Sequence, residues 1–279
     1  MRRLIYLCVA LFAFTNTCFS DFNPSLLQNQ NVMVQFEDTY GSGVLVTRKI
    51  GEQKYNFVIT CSHTIDEAKK IVKSIDTGVV KENIIFKQVN VIKENFKNNE
   101  PSIIQTTSSR IVLFNEEYDI SVLMLDVFLY DTDIVFYANE SINVGTEAIH
   151  VGNFKGELGF NSVSTGVISH NNRIDEGQKF LQISNTVYQG SSGGGVYNKD
   201  NEYVGMVSHT FGENFNYAIP IVVIKDVLKR GGYEFLYDKS ISVDSVEDIK
   251  KLPIEVDKTE VQRLPTITIP QIPPIILVK

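Results

Sequence analysis

Short runs of β-branched and aromatic residues recur along most of the chain, and Gly, Asn, Asp and Ser separate them. Runs of this length, bounded by turn residues, are typical of antiparallel sandwiches and barrels. We therefore expect an all-β fold. The predicted strands are residues 32–36, 43–47, 55–60, 111–114, 120–125, 148–151, 164–169, 180–183 and 203–207.

Three segments interrupt this pattern. Residues 93–110 are polar and predict a long surface excursion. Residues 221–230 predict the one convincing helix, because a proline precedes them and two glycines follow. Beyond residue 235 charged residues alternate with prolines, so residues 236–279 are expected to form a Pro-rich C-terminal tail with extended or polyproline backbone.

The beginning of the chain predicts a cleavable secretory signal. Arg2 and Arg3 precede the apolar run Leu4–Phe14, and the segment closes with small residues at Ser20. An apolar run of 11 residues is shorter than the roughly 20 that span a bilayer. We expect residues 1–20 to be removed and the protein to be exported, to a periplasm or the extracellular medium, without stable membrane insertion.

The net charge limits the classes of binding partner, and the cysteine content limits the disulfides that can form. The formal net charge of the 279 residues is −7, and removal of the signal changes it to −9 because two arginines leave with it. No basic cluster is present, so nucleic acid and anionic membranes are poor partners. Cys61 is the one cysteine outside the signal, which predicts a small buried hydrophobe and no intrachain disulfide. We expect no cofactor and no metal, and the oligomeric state stays open.

Residues 188–197, YQGSSGGGVY, place two serines among four glycines between strand-forming residues. A flexible linker would continue in polar residues, whereas apolar runs flank this segment on both sides. A phosphate-binding loop would need Gly-Lys-Ser/Thr followed by a helix, and neither is present. The segment therefore favours a tight loop that holds a serine in place for chemistry.

A serine hydroxyl is a poor nucleophile without a base, and histidine is the usual base near neutral pH. His63 directly follows the predicted strand 55–60, where a strand end meets a loop. His150 lies inside a strand, which favours a structural role, and His170 lies in a polar loop. His209 stands at another strand end and remains a candidate for lining a site.

Such a histidine needs a buried acceptor that fixes its tautomer. Asp119 stands at the mouth of the apolar strand 120–125, where an uncompensated carboxylate would be costly. Taken alone, an ordinary acid at a strand start explains Asp119 more simply. Together, the order His63, Asp119, Ser192, each beside an apolar strand, favours a catalytic triad.

At this point the chain resembles the chymotrypsin-like, or trypsin-like, serine peptidases, closest in pattern to the bacterial HtrA-like and other disulfide-poor members. The matching segments follow the order of that family and span roughly residues 32–232. They are GSGVLV (41–46), VITCSHTI (58–65), YDISVLML (118–125), VGNF (151–154), STGVIS (164–169), QGSSGGGV (189–196), YVGMVS (203–208) and NYAIP (216–220).

The resemblance implies a protease domain over residues 21–235 with two six-stranded antiparallel β-barrels and a closing helix. The first barrel would cover about residues 30–127 and the second about 143–222, with the helix at 221–230. The active cleft would lie between the barrels.

The resemblance also assigns roles to individual residues. Ser192 would be the nucleophile, His63 the base and then acid, and Asp119 the group that orients the imidazole. The backbone N–H groups of Gly190 and Ser192 would form the oxyanion hole. The implied function is an exported serine endopeptidase that acts on protein or peptide substrates; the alternative is a protease-like protein that has lost catalysis and only binds.

Other members of the family suggest where the substrate pocket lies. Its base would be Thr186, and its walls Ser208, His209, Thr210 and Phe215. Since no acid stands at the base and Phe215 would make the pocket shallow, small or medium aliphatic side chains are expected at the position before the scissile bond.

The loop around the nucleophile departs from the digestive members of the family. Ser191 is neutral where those members carry an aspartate that binds a newly cut N-terminus. The loop is therefore expected to order through its own hydrogen bonds, and Gly193 and Gly194 are expected to let neighbouring backbone pass close behind it.

Overall fold

The computed structural model describes residues 24–76, 79–97 and 100–254. The predicted signal, residues 1–20, and the last part of the predicted tail, residues 255–279, lie outside the described residues. The helices are α1 (Pro24–Gln28), α2 (Ile221–Arg230) and α3 (Val246–Lys250), with short 3-10 helices at Ser62–Thr64, Asp66–Ala68, Gly156–Leu158 and Glu234–Leu236.

The strands carry most of the regular structure. In chain order they are β1 (Asn31–Phe36), β2 (Thr39–Ile50), β3 (Gln53–Thr60), β4 (Lys69–Asp76), β5 (Val79–Phe86), β6 (Val89–Lys97), β7 (Glu100–Asn115), β8 (Ile120–Leu125), β9 (Val135–Phe136), β10 (Glu147–Phe154), β11 (Gly159–Asp175), β12 (Gln178–Ile183), β13 (Gly195–Tyr197), β14 (Glu202–Thr210) and β15 (Asn216–Pro220).

The first half of the molecule is a closed barrel in the order β1-β2-β3-β8-β7-β6, with every neighbouring pair antiparallel. Side chains alternate between the two faces of each strand, so every second residue points into the barrel. The interior is filled by an aliphatic cluster that includes Val34, Leu45, Val58, Val91 and Leu123.

The second half is also a ring of six strands. Strands β13, β10, β11, β12, β15 and β14 pair antiparallel in that order, and the β13–β14 pairing closes the ring. Its interior holds Ile168, Leu181, Ile183, Val196 and Val207. Strand β9 adds to β14 from outside as a parallel neighbour. The expected all-β, chymotrypsin-like fold of two barrels is confirmed.

Helix α2 has the bounds that the sequence predicts. Pro220 precedes it with φ −66°, and Gly232, two residues past its end, has φ +83°. The buried residues Ile224, Val227 and Leu228 form one face of the helix and join the large apolar cluster beside the barrels. No helix in the described ranges is long and apolar enough to cross a membrane.

The polar stretch 93–110, predicted as a surface excursion, forms regular strands whose distal part extends into solvent. Its described residues, 93–97 and 100–110, belong to β6 and β7, which pair from Val89 opposite Ser109 to Lys97 opposite Glu100. Residues 100–106, on β7, are exposed. Because a ladder needs only backbone hydrogen bonds, a pair of strands that runs beyond the barrel into solvent does not need alternating apolar side chains. The β4–β5 hairpin, also outside the barrel, was missed for the same reason.

Packing continues past the predicted domain boundary at residue 235. The guanidinium of Arg48, on β2, donates to the carbonyl oxygens of Phe235 and Leu236. Further on, Ile249 in α3 is buried, and the carbonyl of Ile254 accepts from the amide of Phe114 at 2.7 Å. The first part of the predicted tail, residues 236–254, thus lies against the first barrel.

Candidate active site

The two barrels are joined by hydrogen bonds at the loop that carries Ser192. Ser42, on β2 of the first barrel, donates from its hydroxyl to the carbonyl of Gly190 at 2.6 Å and from its amide to the carbonyl of Ser192 at 2.7 Å. The thiol of Cys61 lies 3.3 Å from the carbonyl oxygen of Val207 on β14. Strand β2 is therefore held against the loop before β13, and the residue that follows β3 is held against β14.

His63 and Asp119 meet at this junction. His63 lies in the 3-10 helix after β3, and Asp119 lies in the turn between β7 and β8 with a left-handed φ of +55°. The Nδ1 atom of His63 is 2.8 Å from Oδ2 and 3.0 Å from Oδ1 of Asp119. The side chain of Asp119 is 15% exposed and that of His63 is 47% exposed, so the carboxylate lies behind the imidazole.

The two groups change each other's pKa. Burial by itself lowers the pKa of His63, but the hydrogen bond and the negative charge of Asp119 outweigh burial, and the pKa of His63 lies above its ordinary value. Burial raises the pKa of Asp119, yet the hydrogen bond and charge of His63, its amide and the hydroxyl of Ser208 together hold the pKa of Asp119 below its ordinary value. Asp119 is therefore a carboxylate at neutral pH.

Ser208 connects the predicted nucleophile to this pair. Its hydroxyl donates to Oδ2 of Asp119 at 2.7 Å, and its carbonyl accepts from the Ser192 hydroxyl at 3.1 Å. Among the described residues, this carbonyl is the hydrogen-bond partner of the Ser192 hydroxyl. The structure thus brings His63, Asp119 and Ser192 to one place, with Ser192 bonded to Ser208 and not to the imidazole.

The loop before β13 forms hydrogen bonds within itself and with neighbouring strands. The amide of Ser191 donates to Tyr188, the amide of Gly194 donates to Ser191, and the Ser191 hydroxyl accepts from the amide of Tyr188. The carbonyl of Gln189 accepts from the amide of Lys155 at 2.7 Å.

The hydrogen bond from Lys155 to Gln189 fixes the direction of the Gly190 amide, which belongs to the predicted oxyanion hole. In a planar trans peptide the C=O and N–H groups point in opposite directions. The N–H of Gly190 therefore points away from Lys155. Within the described part of the chain, neither this amide nor that of Ser192 has a hydrogen-bond acceptor.

Two glycines are needed for this loop geometry. Gly190 has φ +93°, and a Cβ added there would lie 2.4 Å from the carbonyl oxygen of Asn153. Gly193 has φ +89°, and its Cβ would lie 2.0 Å from the carbonyl oxygen of Ser42. Both combine a backbone conformation that favours glycine with contacts that leave no room for a side chain.

A cavity of about 520 Å³ lies beside the loop. Of the five residues predicted for the substrate pocket, Thr186 and Thr210 line this cavity, whereas Ser208, His209 and Phe215 are not among its lining residues. Ser208 is engaged with Asp119, and Phe215 packs against aromatic rings outside the cavity. The remaining lining residues are Asn185, Val187, Tyr188, Gln189, Gly212, Glu213, Asn214 and Asn216.

Most of these lining side chains are polar. The shallow apolar pocket expected from the sequence stays a prediction. Sequence reasoning also missed Asn185 and Asn216, which only the fold brings to one wall.

His150 and Cys61 have contacts that explain them structurally. His150 is fully buried, and its Nδ1 lies 3.1 Å from the carbonyl oxygen of Gly195; burial lowers the pKa of His150 to about 4. Cys61 lies within 4.8 Å of His63 and Asp119, as a metal site would require. Burial raises the pKa of the Cys61 thiol well above its usual range, so the thiol is protonated at neutral pH.

Comparison with known proteins agrees with this architecture. Residues 41–206 match the family model of the trypsin-like peptidase domain. The chain is 28% identical over 214 residues to the serine endoprotease DegS of Haemophilus influenzae, across 72% of this chain and 52% of that protein. It is 34% identical over 128 residues to a probable periplasmic serine endoprotease, DegP-like, of Rhizobium meliloti, across 43% of this chain and 25% of that protein.

Solved structures show the same fold. A serine endoprotease from Yersinia pestis superposes with a TM-score of 0.54 at 21% identity, covering 74% of this chain and 65% of that chain. Deg5 superposes with a TM-score of 0.53 at 21% identity, covering 72% of this chain and 89% of that chain.

The chain spans about half the length of DegS and less of the DegP-like relative. The family model, however, covers residues 41–206 and so more than half of the chain, including all three residues of the predicted triad. This protein therefore belongs to the trypsin-like peptidase domain family, and its relatives confirm the resemblance to the HtrA-like serine peptidases.

Proposed function

We propose that this protein is a serine endopeptidase that hydrolyses peptide bonds of protein or peptide substrates through an acyl-enzyme intermediate. The observation that carries the proposal is the contact of 2.8 Å between Nδ1 of His63 and the Asp119 carboxylate, with Ser192 tied to the same carboxylate through Ser208. The relatives named as serine endoproteases support the same activity.

In this mechanism Asp119 fixes the tautomer of His63. A carboxylate accepts hydrogen bonds and cannot donate them, so Nδ1 of His63 carries the proton and Nε2 keeps its lone pair. The Ser192 hydroxyl has to turn from the carbonyl of Ser208 to Nε2 when substrate binds. Nε2 then takes the hydroxyl proton as Ser192 attacks the carbonyl carbon, and returns it to the leaving amine.

The amides of Gly190 and Ser192 would stabilise the oxyanion that develops during attack. Both amides lack acceptors among the described residues, so they are available to a substrate oxygen. The contact between Gln189 and Lys155 would keep the Gly190 amide turned toward the cleft before substrate arrives, so that no reorganisation is needed at the moment of reaction.

We further propose that the protein is exported. The support is the signal-like sequence of residues 1–20, together with relatives whose names describe them as periplasmic. Expression of the full chain followed by N-terminal sequencing of the secreted or periplasmic product tests this. A product that begins at residue 21 supports export, and an uncut chain in the cytoplasm contradicts it.

The activity is tested by labelling with a fluorophosphonate, which reacts only with an activated serine. The wild-type protein is expected to gain one adduct on Ser192, and Ser192→Ala is expected to gain none. Ser191→Ala is the matched control, since it removes the neighbouring hydroxyl and should retain labelling. An unlabelled wild-type protein that still binds peptides would favour the alternative, a protease-like protein that only binds.

A further inference from the structure

His209 contacts the triad in a way that its predicted place in a pocket wall does not explain. Its Nδ1 atom lies 2.8 Å from the hydroxyl oxygen of Ser208, and its ring centroid is 5.9 Å from that of His63. The same Ser208 hydroxyl lies 2.7 Å from Oδ2 of Asp119. A chain of contacts therefore leads from His209 through Ser208 to Asp119.

A break in the strand register makes this chain possible. Neighbouring side chains on a regular strand point to opposite faces, so Ser208 and His209 would not both face the triad. The pairing of β14 with β15, however, shifts between Val207 and His209. An irregularity of this kind re-aims side chains, and here both consecutive residues reach the same side.

The direction of each hydrogen bond follows from counting hydrogens. A hydroxyl carries one hydrogen, and the Asp119 carboxylate can only accept. The Ser208 hydrogen is thus committed to Asp119, and the contact with His209 requires Nδ1 of His209 to be the donor. Neutral His209 must then carry its proton on Nδ1, with Nε2 unprotonated.

We infer that His209 is a positioning residue for the proposed catalytic triad: its Nδ1–H holds the Ser208 hydroxyl in the orientation that donates to Asp119. The inference deepens the proposed function, on which its kinetic part rests. The ring of His209 also packs against Phe180, perpendicular to it at 6.1 Å between ring centroids.

Ser208 links the contact with His209 to two residues of the proposed triad. Its carbonyl holds the Ser192 hydroxyl, while its own hydroxyl holds Asp119. Linked hydrogen bonds polarise one another, so a donor to Ser208 strengthens the bond from Ser208 to the carboxylate. His209 would in this way act on His63 through two intermediates, without touching substrate.

Three variants distinguish a positioning role of His209 from direct contact of His209 with substrate. His209→Asn keeps an N–H donor near the position of Nδ1, whereas His209→Leu removes it. Fluorophosphonate labelling rate and kcat are expected to stay near wild type in the asparagine variant and to fall about three- to tenfold in the leucine variant, the size expected for one hydrogen bond. KM is expected to change little in either.

The third variant is Ser208→Ala, which removes the intermediate of the chain. In that background His209→Leu should cause no further loss, because the two substitutions break one pathway. Independent losses in the double variant, or a leucine variant with unchanged kcat and raised KM, would show that His209 contacts substrate and would overturn the inference.

A measurement that does not depend on activity completes the test. In ¹⁵N-histidine-labelled protein, the neutral form of His209 is expected to show a protonated Nδ1, assigned by loss of the signal in His209→Asn. Ser208→Ala should shift the proton toward Nε2. A neutral His209 that is protonated on Nε2 in the otherwise unchanged protein refutes the contact, whereas absence of fluorophosphonate labelling in wild type refutes only the proposed peptidase.

Discussion

Asp119 binds His63 at two places: one carboxylate oxygen accepts the main-chain amide of His63 at 2.9 Å, and the other lies 2.8 Å from its Nδ1 atom. The amide contact fixes the position of the residue, and the Nδ1 contact fixes the ring. Since both depend on one carboxylate, the geometry of the base depends on the charge of Asp119.

Asp119→Asn is therefore expected to leave the fold intact and to lower kcat by about 10³- to 10⁴-fold, because an amide that donates to Nδ1 favours the wrong tautomer of His63. The control is Asp126→Asn, the same change just beyond the other end of β8, which should have little effect. Kinetics on a peptide substrate measure kcat of each variant, and circular dichroism shows whether its fold is intact. An Asp119→Asn protein with near wild-type kcat would falsify the assignment.

The pH dependence follows from the pKa of His63. The general base must be neutral, and the Asp119 carboxylate raises the pKa of His63 above its ordinary value of about 6.5. A raised pKa moves the loss of the proton to higher pH, so kcat/KM should reach half of its plateau above pH 6.5. A profile measured from pH 5 to 9 tests this, and a midpoint below 6.5 would contradict a raised pKa of His63.

Gly190→Ala tests the loop geometry. The added Cβ would meet the carbonyl of Asn153 at 2.4 Å in a backbone of positive φ, so we expect at least about 100-fold lower activity, the loss typical when an oxyanion donor is displaced. Gly177→Ala is the matched control: its φ is +83°, yet nothing lies within 4 Å of the added atom. If both variants lose activity equally, backbone strain and not crowding at the oxyanion hole is responsible.

The buried His150 is expected to make the free energy of unfolding depend on pH. Burial lowers its pKa to about 4, whereas the unfolded chain binds the proton below about 6.5, so stability is fully present above pH 6.5 and declines as pH falls toward 4. At 1.36 kcal/mol per pKa unit the loss reaches about 3 kcal/mol over that window.

His150→Asn keeps a donor for the carbonyl of Gly195 but does not titrate, so its free energy of unfolding should depend less on pH between 6.5 and 4. Urea unfolding at several pH values measures the difference, with His170→Asn as the control. Parallel pH curves for wild type and His150→Asn would show that acid destabilisation arises elsewhere.

Local sequence signals were sufficient for much of the fold. The runs that became β1, β3 and β8 combine β-branched residues with turn residues at their ends, and these preferences act over a few neighbours. Helix α2 has the predicted bounds because a proline and two glycines set its limits. The His63, Asp119 and Ser192 positions were recognised by motif, and the fold brings them together.

What the sequence left undecided depends on contacts between distant residues. Ser208 and Asp119 are 89 residues apart, and no local pattern shows that the hydroxyl of one will bind the carboxylate of the other. The exposed ladder of β6 and β7 is likewise held by backbone hydrogen bonds. The pattern of side chains along the sequence carries no signal for such bonds.

The surroundings of His209 likewise depend on contacts between distant residues. By sequence alone it lies at the end of a strand and is predicted in a pocket wall. The shifted register of β14 against β15 brings its Nδ1 atom to the Ser208 hydroxyl. Residue preferences determined the strands and the helix, because they are set by each residue and its neighbours along the chain. Side-chain direction at a register shift is set by the partner strand, and only the tertiary structure supplies that partner.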